Sequence, residues 1–344
     1  MRRDDCRRGE EGAQPVKPII RVGIIGCGDV TEVKSGPAFQ KAAGSELAIV
    51  MRRDAEKVAD YARRHGVARY TTDANDILND PAIDLVYVAT PPHMHAHYTI
   101  EAARHGKAVY VEKPMARTVA EARAMAEACW AHNVPLFVAY YRRGQPRFNY
   151  ARELAASGGL GEIRAFDYLY TNPVPTYPKH RAWLGDPELA GGGQLFDIGS
   201  HMMDAITFML GAPQRMETMT ANRSGGNAPD THSAILKLQN GVQGSINLCF
   251  SADGRRDALT ILGSKGSLTM SLMNYTDVVV KRGDTAESLP FPMPEHVQQP
   301  WIQRVIDTMR GLDTLDTTAR DALQTQELLE AMHLGRSWQA QKGN

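Results

Sequence analysis

Residues 19–31 read Ile19-Ile-Arg-Val-Gly-Ile-Ile-Gly-Cys-Gly-Asp-Val-Thr31, an apolar run that ends in two glycines one residue apart. Gly26 and Gly28 match the first two positions of a Gly-x-Gly-x-x-Gly loop. A residue without Cβ lets the chain turn sharply there and approach a pyrophosphate closely. Asp29 and Val30 then open a predicted helix, whose first N–H groups would face the phosphates. Thr31 stands where the third glycine is usual, so the match is imperfect. At a strand-to-helix junction the loop nonetheless predicts a dinucleotide site.

The flanking sequence points the same way. The runs Ile19–Ile25, Leu47–Met51, Ile83–Thr90, Val109–Val111 and Leu136–Ala139 are continuously apolar, as suits strands buried on both faces of a parallel sheet. Helical stretches alternate with them. Asp54 is placed to cap one that carries Val58, Ala59 and Ala62. Thr118-Val-Ala-Glu121 has the form of a capping box before Ala122, Met125, Ala126 and Cys129. The alternation predicts an α/β fold, with a doubly wound Rossmann domain over residues 19–140.

Beyond Tyr140 the pattern changes. A helix containing Leu154 is expected to stop at Ser157-Gly-Gly, and a strand runs from Ile163 to Tyr170. A helix from Asp197 to Leu210 is stopped by Gly211 and Pro213. Strand-like runs follow at Ser233–Leu238, Gly244–Phe250, Ala258–Leu262, Ser267–Met270 and Asp277–Lys281, with Asn240-Gly241 as a hairpin turn. An amphipathic helix beginning near Trp301 and another from Ala319 to Trp338 complete the chain. Residues 141–344 thus read as an α+β domain with an open, mostly antiparallel sheet, serving substrate binding and oligomerisation.

Bulk properties narrow the class. The 344 residues suffice for two full cores. Lys plus Arg equals Asp plus Glu, 39 of each, which gives no electrostatic reason to expect nucleic acid or a membrane surface as partner. No apolar run reaches the roughly 18 residues of a membrane span. Cys6, Cys27, Cys129 and Cys249 form no CxxC pair, so free thiols in a reducing cytoplasm are expected. Residues 1–18 lack an apolar core and read as a disordered leader.

The second apolar run ends Val50-Met51-Arg52-Arg53-Asp54. An acid at this position commonly binds the ribose 2′-hydroxyl of NAD, whereas two guanidiniums suit a 2′-phosphate. Arg52 and Arg53 therefore favour NADP, with NAD as the alternative, and Asp54 is better used as the helix cap.

Three further segments carry a family resemblance: Thr90-Pro-Pro-His-Met-His95, Glu112-Lys113-Pro114, and Gly191-Gly-Gly-Gln-Leu-Phe-Asp-Ile-Gly-Ser-His201. In their order and spacing, and with the Gly26 loop, the chain from about Ile19 to its last helix resembles the glucose–fructose oxidoreductase/inositol dehydrogenase (Gfo/Idh/MocA) family. The resemblance implies that Thr90, Pro91 and His95 line the cofactor cleft, that Glu112 and Lys113 lie near ribose and nicotinamide, and that Lys113–Pro114 corresponds to an X–Pro bond that is often cis in the family, an isomer that sequence alone does not show. It also implies association into a homodimer or homotetramer through the second sheet.

Lys113 would hold a substrate hydroxyl and developing alkoxide charge at the carboxyl edge of a buried strand. Asp197 and His201, four apart, share one face of a helix. By spacing alone they read as a cap and a core histidine. The resemblance makes His201 a general acid/base and Asp197 a positioning group. Tyr141, Arg142 and Trp183 are candidate substrate contacts, since aromatic faces and guanidiniums suit polyhydroxylated rings. Phe166, Tyr168 and Tyr170, alternating on one strand, would line a substrate wall or a partner contact. His93, His95 and His97 have metal-like spacing but no acid or cysteine nearby at ligand spacing, so no metal is expected.

The expected activity is interconversion of a secondary alcohol and ketone on a sugar or cyclitol by an NAD(P)-dependent dehydrogenase. Alternatives are a redox-assisted glycosidase with bound NAD, a non-catalytic dinucleotide sensor, and imine or dihydrodiol substrates for the same site.

Overall fold

The computed structural model describes residues 17–315 and 319–340. Residues 1–16 of the expected leader, with Cys6, lie outside them, while Lys17 is ion-paired with Asp84.

The first half builds β1 (Ile20–Ile25), α1 (Asp29–Val33), α2 (Gly36–Lys41), β2 (Ser45–Met51), α3 (Ala55–His65), β3 (Arg69–Thr71), α4 (Asn75–Leu78), β4 (Leu85–Val88), α5 (His95–Arg104), β5 (Ala108–Val111), α6 (Val119–Ala131) and β6 (Leu136–Val138). The strands form one parallel sheet in the order β3-β2-β1-β4-β5-β6. This is the doubly wound Rossmann order, which reverses between β1 and β4. Every residue of β4 and β5 is buried, which explains their unbroken apolar runs. β3 was not among the expected strands. It is a three-residue, largely exposed edge with no apolar run to reveal it.

Local chemistry sets the helix ends. The Asp54 carboxylate accepts from Lys57 N at 3.1 Å and caps α3, and Gly66 ends it at φ 65°. The Thr118 hydroxyl accepts from Glu121 N at 3.1 Å. The Glu121 carboxylate reaches back one residue further than a capping box requires, to Arg117 N at 3.0 Å.

The second half contains α7 (Pro146–Ala156), β7 (Ile163–Thr171), α8 (Pro187–Ala190), α9 (Ser200–Leu210), β8 (Pro213–Ala221), β9 (Thr231–Leu238), β10 (Gln243–Cys249), β11 (Arg256–Gly263), β12 (Ser267–Met270), β13 (Val278–Arg282), β14 (Thr285–Leu289), α10 (Gln299–Met309), α11 (Ala319–Leu334) and β15 (Trp338–Gln339). Its nine strands lie in the order β14-β13-β12-β11-β7-β10-β9-β8-β15, antiparallel except for the β7–β10 pair. Alternate residues such as Leu236, Ile246, Leu259 and Val278 pack with Met202 and Ile206 of α9 and Leu328 of α11 in one core. The opposite face leaves Met219, Ile235, Leu262 and Val279 exposed.

Three expectations need correction. Phe166 and Tyr168 open on neither a ligand nor a partner but are buried in the chain's own second core, and Tyr170 joins that core at the end within reach of the Asp197 charge. The last helix stops at Leu334, because Gly335 adopts φ 62°, and Trp338 instead pairs with Met216 as a strand. The helix expected from Asp197 begins earlier, as a π-helical turn over Leu195–Gly199 that leads into α9.

Late sequence also returns to the first sheet. Trp301, Ile302, Val305 and Ile306 of α10 are buried in the core formed with β1, β2 and β4. The Trp301 indole donates to Val138 O at 3.2 Å. A Cβ on Gly144 would lie 2.5 Å from Trp301 N, so glycine there is what admits the start of α10.

Candidate active site

The parallel sheet brings the nucleotide loop to the crevice where its strand order reverses. Gly26 turns at φ 96°, and a Cβ there would sit 2.8 Å from Thr90 Cγ2 and 2.9 Å from Thr90 N, so the turns after β1 and β4 touch. Gly28 differs. Its nearest neighbour to an added Cβ is 3.9 Å away, leaving open space beside the backbone. Thr31, at the third-glycine position, is buried and donates from its hydroxyl to Gly28 O at 2.8 Å, while the Tyr61 hydroxyl donates to Thr31 O at 3.0 Å. These bonds brace the loop that glycine packing would otherwise hold. The helix after it is short: α1 spans five residues and breaks before α2.

The Thr90 hydroxyl is buried at this crevice without a protein partner. An unsatisfied polar atom beside a glycine cradle fits a polar ligand such as a dinucleotide. Arg52 donates to Cys27 O at 3.3 Å, holding its guanidinium beside the same turn, and Arg53 is exposed. The Asp29 carboxylate lies 3.1 Å from His180 Nε2, linking the nucleotide loop to the second domain. Pro91 lies half-buried after β4. His95 is fully buried, with ring nitrogens 2.8 Å from Thr90 O and 3.0 Å from Pro114 O. It fastens the two loops that edge the cleft. Burial lowers its pKa, and a neutral ring donates to one carbonyl at a time.

β5 delivers Glu112 and Lys113 to the same edge, and the Lys113–Pro114 bond is cis. The buried Glu112 carboxylate accepts from the Tyr87 hydroxyl at 2.7 Å, from Gln298 Nε2 at 2.8 Å and from Lys113 N at 3.1 Å. This network turns the Lys113 side chain the other way, across to the second domain. There Lys113 Nζ donates to Asp197 Oδ1 at 2.7 Å and to Asp197 O at 2.6 Å.

Asp197 reaches that position from the π-helical turn, whose wider winding suits a functional insertion in a helix. The preceding glycines admit the Phe196 ring: a Cβ on Gly192 would lie 2.2 Å from it, and one on Gly191, at φ 85°, would lie 2.8 Å away. Burial works to raise the Asp197 pKa, but Lys113, Arg181 and Lys34 outweigh it and hold the carboxyl below its ordinary value.

His201 follows on α9, buried, with Nδ1 lacking a partner. Burial drives its pKa well below the ordinary value, and Arg142, Lys113 and Lys34 push the same way. The imidazole is therefore in its neutral, unprotonated form at neutral pH. The Tyr141 ring lies edge-on to it, centroids 4.8 Å apart. Burial works to raise the Tyr141 pKa, yet Arg142, Lys34 and Lys113 together lower it. Arg142 stands over the Tyr141 ring at 5.1 Å. Trp183 is half-buried in a 3₁₀ segment, Lys179–Gly185. The bonds that anchor this stretch run through His180 to Asp29 and from Gln194 to the Tyr177 hydroxyl rather than through Trp183.

The structure thus brings Lys113, Asp197, His201, Tyr141 and Arg142 together. Lys34 and Gln298 were missed, since neither lies in a motif and each comes close only through tertiary packing. Among the described residues no group of three His, Cys, Asp or Glu side chains is arranged to hold a metal ion, and no helix is long and apolar enough to cross a membrane.

A Rossmann sheet that directs a lysine from its strand edge onto a helix of a second, open-sheet domain is the architecture of a two-domain, NAD(P)-dependent oxidoreductase. Sequence comparison makes the assignment specific. Residues 20–140 match the Gfo/Idh/MocA oxidoreductase family with an NAD-binding Rossmann fold, and residues 148–269 match the C-terminal domain of the same family. The chain belongs to this family. It is 39% identical over 292 residues to Oxidoreductase P35 of Formosa agariphila, covering 83% of this chain and 90% of that protein. It is 26% identical over 339 residues to a scyllo-inositol 2-dehydrogenase (NADP(+)) of Bacillus subtilis, covering 91% and 92%. In fold it superposes with a TM-score of 0.81 on a levoglucosan dehydrogenase in complex with NADH and levoglucosan, at 23% identity, covering 93% of this chain and 99% of that one.

Proposed function

We propose that the protein interconverts a secondary alcohol and a ketone on a sugar or cyclitol, with NADP preferred over NAD. The observation that carries this reading is the Lys113 ammonium held on Asp197 beside a buried, neutral His201. A relative named for a cyclitol supports the substrate class.

A dinucleotide would be held by Gly26, Gly28, Asp29 and Val30 at the loop, by Thr90 and Pro91 after β4, and by Glu112 and Lys113 at the end of β5. When bound, the nicotinamide supplies a hydride acceptor or donor. Oxidation removes a hydride and a proton from the carbinol and leaves a carbonyl. In this reading Lys113 donates a hydrogen bond to the reacting oxygen and stabilises its negative charge. His201 takes the hydroxyl proton in oxidation and returns it in reduction, and burial keeps its ring in the basic form. Asp197 positions Lys113 and a neighbouring substrate hydroxyl. Tyr141, Arg142 and Trp183 are offered as substrate contacts.

The cofactor preference rests on the end of β2. Asp54 is committed to the α3 cap, which leaves Arg52 beside the Cys27 turn and Arg53 exposed next to it. Two guanidiniums without a free acid suit a 2′-phosphate.

The open face of the second sheet, with Met219, Ile235, Leu262 and Val279 exposed, supports association of subunits there. Free Cys27, Cys129 and Cys249 fit the cytoplasmic setting that belongs to this reading.

The test is an absorbance screen at the reduced-nicotinamide band, pairing NAD and NADP with sugars, inositols and their keto forms. Turnover with NADP ahead of NAD is expected, and Arg52→Asp should reverse the order. Glycoside cleavage without net cofactor reduction would replace this reading with the hydrolytic one, and an unchanged preference in Arg52→Asp would overturn the cofactor assignment.

A further inference from the structure

The cleft carries more positive charge than alkoxide stabilisation requires. Lys113 is paired with Asp197. Lys34, exposed just beyond α1, acts together with Lys113 and Arg142 on His201, and with Lys113 and Arg181 on Asp197. The strongest charges acting on the imidazole are thus all cations.

Arg142 is the most telling of them. It is 5% exposed and comes from the turn after β6. Its Nε donates to Leu272 O at 2.9 Å, and its Nη2 lies 3.2 Å from Met273 Sδ. Its Nη1 is buried and meets no acceptor in hydrogen-bonding geometry, although the Tyr141 hydroxyl lies close to the guanidinium. An unsatisfied donor on a buried guanidinium is costly, and an acceptor that arrives with the ligand would satisfy it. The ring of Tyr141 links this guanidinium to His201, at 5.1 Å on one side and 4.8 Å on the other.

Apart from Asp197, the carboxylates around the cleft pair with none of these cations. Asp257, on β11, accepts from the backbone N–H groups of Leu272, Met273 and Asn274 and from the Tyr168 hydroxyl. A second buried guanidinium, that of Arg147 on α7, reaches the same loop, donating to Ser271 O and Asn274 O. Asp197 is matched by Lys113, and Glu112 is engaged by Tyr87 and Gln298 on the far side of β5. Among the described residues, Lys34, Arg142 and Arg181 form no ion pair with any carboxylate.

Resting on the proposed sugar or cyclitol chemistry, we propose that the natural substrate carries an anionic group, a carboxylate or phosphate on the polyol, which Arg142 binds with Lys34 beside it. The anion would occupy the side of the cleft toward residues 272–273, with the reacting carbinol at Lys113 and His201. Arg142 is then a specificity-determining contact, and Lys34 the electrostatic support brought by the nucleotide-binding domain.

The experiment compares matched pairs on the full chain: glucose with glucuronate and glucose 6-phosphate, galactose with galacturonate, and inositol with inositol phosphate. An anionic member should exceed its neutral partner in kcat/KM by ~10-fold or more, the size of one charge-assisted hydrogen bond. The gap should shrink in roughly 0.5 M salt, where exposed charges such as Lys34 are screened. Uronates ahead of sugar phosphates, or the reverse, identify the anion. Arg142→Met should close most of the gap. Lys34→Gln, a change at an exposed position that keeps the fold, should close part of it. Binding without turnover is read by thermal shift, with glucarate compared to sorbitol in the presence of the dinucleotide. A shift by glucarate alone that Lys34→Gln weakens supports the anion site even if no compound is turned over, an outcome that would count against the sugar-dehydrogenase reading instead. Equal response to neutral and anionic partners, or a Lys34→Gln variant altered only in dinucleotide affinity, overturns the inference.

Discussion

The two sheets solve the same burial problem differently, and the site is made where their solutions meet. β4 and β5 are buried on both faces, so their side chains serve packing, and the candidate site residues Thr90, Glu112 and Lys113 lie just past the strand ends. β9 alternates buried and outward residues, so one face packs on α9 and α11 and the other stays open. Its contribution to the site is indirect: it supports the helix that carries Asp197 and His201. One sheet supplies position through its edge, the other through what it carries on its face.

The largest contrast should appear in stability. Trp301→Ala empties a fully buried position against the first sheet and is expected to cost about 3–5 kcal/mol in urea unfolding. A cost below about 1 kcal/mol would mean that α10 does not complete that core as described.

The next effect concerns pH. His232, on β9, is buried, and burial pushes its pKa down to about 4 from 6.5. Between these values the unfolded chain takes up a proton that the folded chain refuses. Stability is therefore complete above pH 6.5 and is lost as the pH falls toward 4, by roughly 3 kcal/mol from this residue. His201 and His95 contribute with the same sign. Melting temperature followed from pH 7 to 4 should fall less steeply in His232→Gln; an unchanged slope would remove His232 from the explanation.

Gly26→Ala probes the edge of the parallel sheet. With φ at 96° and Thr90 at 2.8 Å, the methyl group must displace the β4 turn. Dinucleotide affinity, measured by fluorescence titration, should weaken by ~10-fold or more. Unaltered affinity would show that the crevice does not hold the cofactor at this turn.

The smallest effect belongs to the open sheet. Ile235→Thr, on the exposed face, should change the stability of an isolated subunit by less than about 0.5 kcal/mol. Ile235→Lys should shift sedimentation toward smaller species if subunits associate through this face. A monomer before and after the change would leave the face without that role.

Legibility followed the same division. The Gly26-x-Gly28 loop is a local pattern, whereas Glu112-Lys113-Pro114, Asp197 and His201 stood out only through the family resemblance, since by spacing alone the last two read as a cap and a core histidine; the structure brings Lys113 and Asp197 into contact. The edge strand Arg69–Thr71 was invisible because it is short and largely exposed, so no periodicity marks it. The π-helical turn was invisible because one extra residue per turn leaves no compositional trace. Lys34 and Gln298 lie in no motif. Gln298 reaches Glu112 from 186 positions away, through the return of α10 to the first sheet. Likewise, the alternation of Phe166, Tyr168 and Tyr170 correctly marked a strand face, but only packing could decide that the face is interior.

The central claim is that the ammonium of Lys113 and the imidazole of His201 act on one carbinol presented to a bound dinucleotide. Its most direct test is steady-state turnover of Lys113→Met and His201→Asn on the best substrate, with dinucleotide affinity titrated separately. Each variant should lose at least ~10²-fold in kcat, the scale of a positioned acid/base or charge-stabilising group, while dinucleotide Kd stays within ~threefold. Full turnover in both variants, with the cofactor still bound, would contradict it.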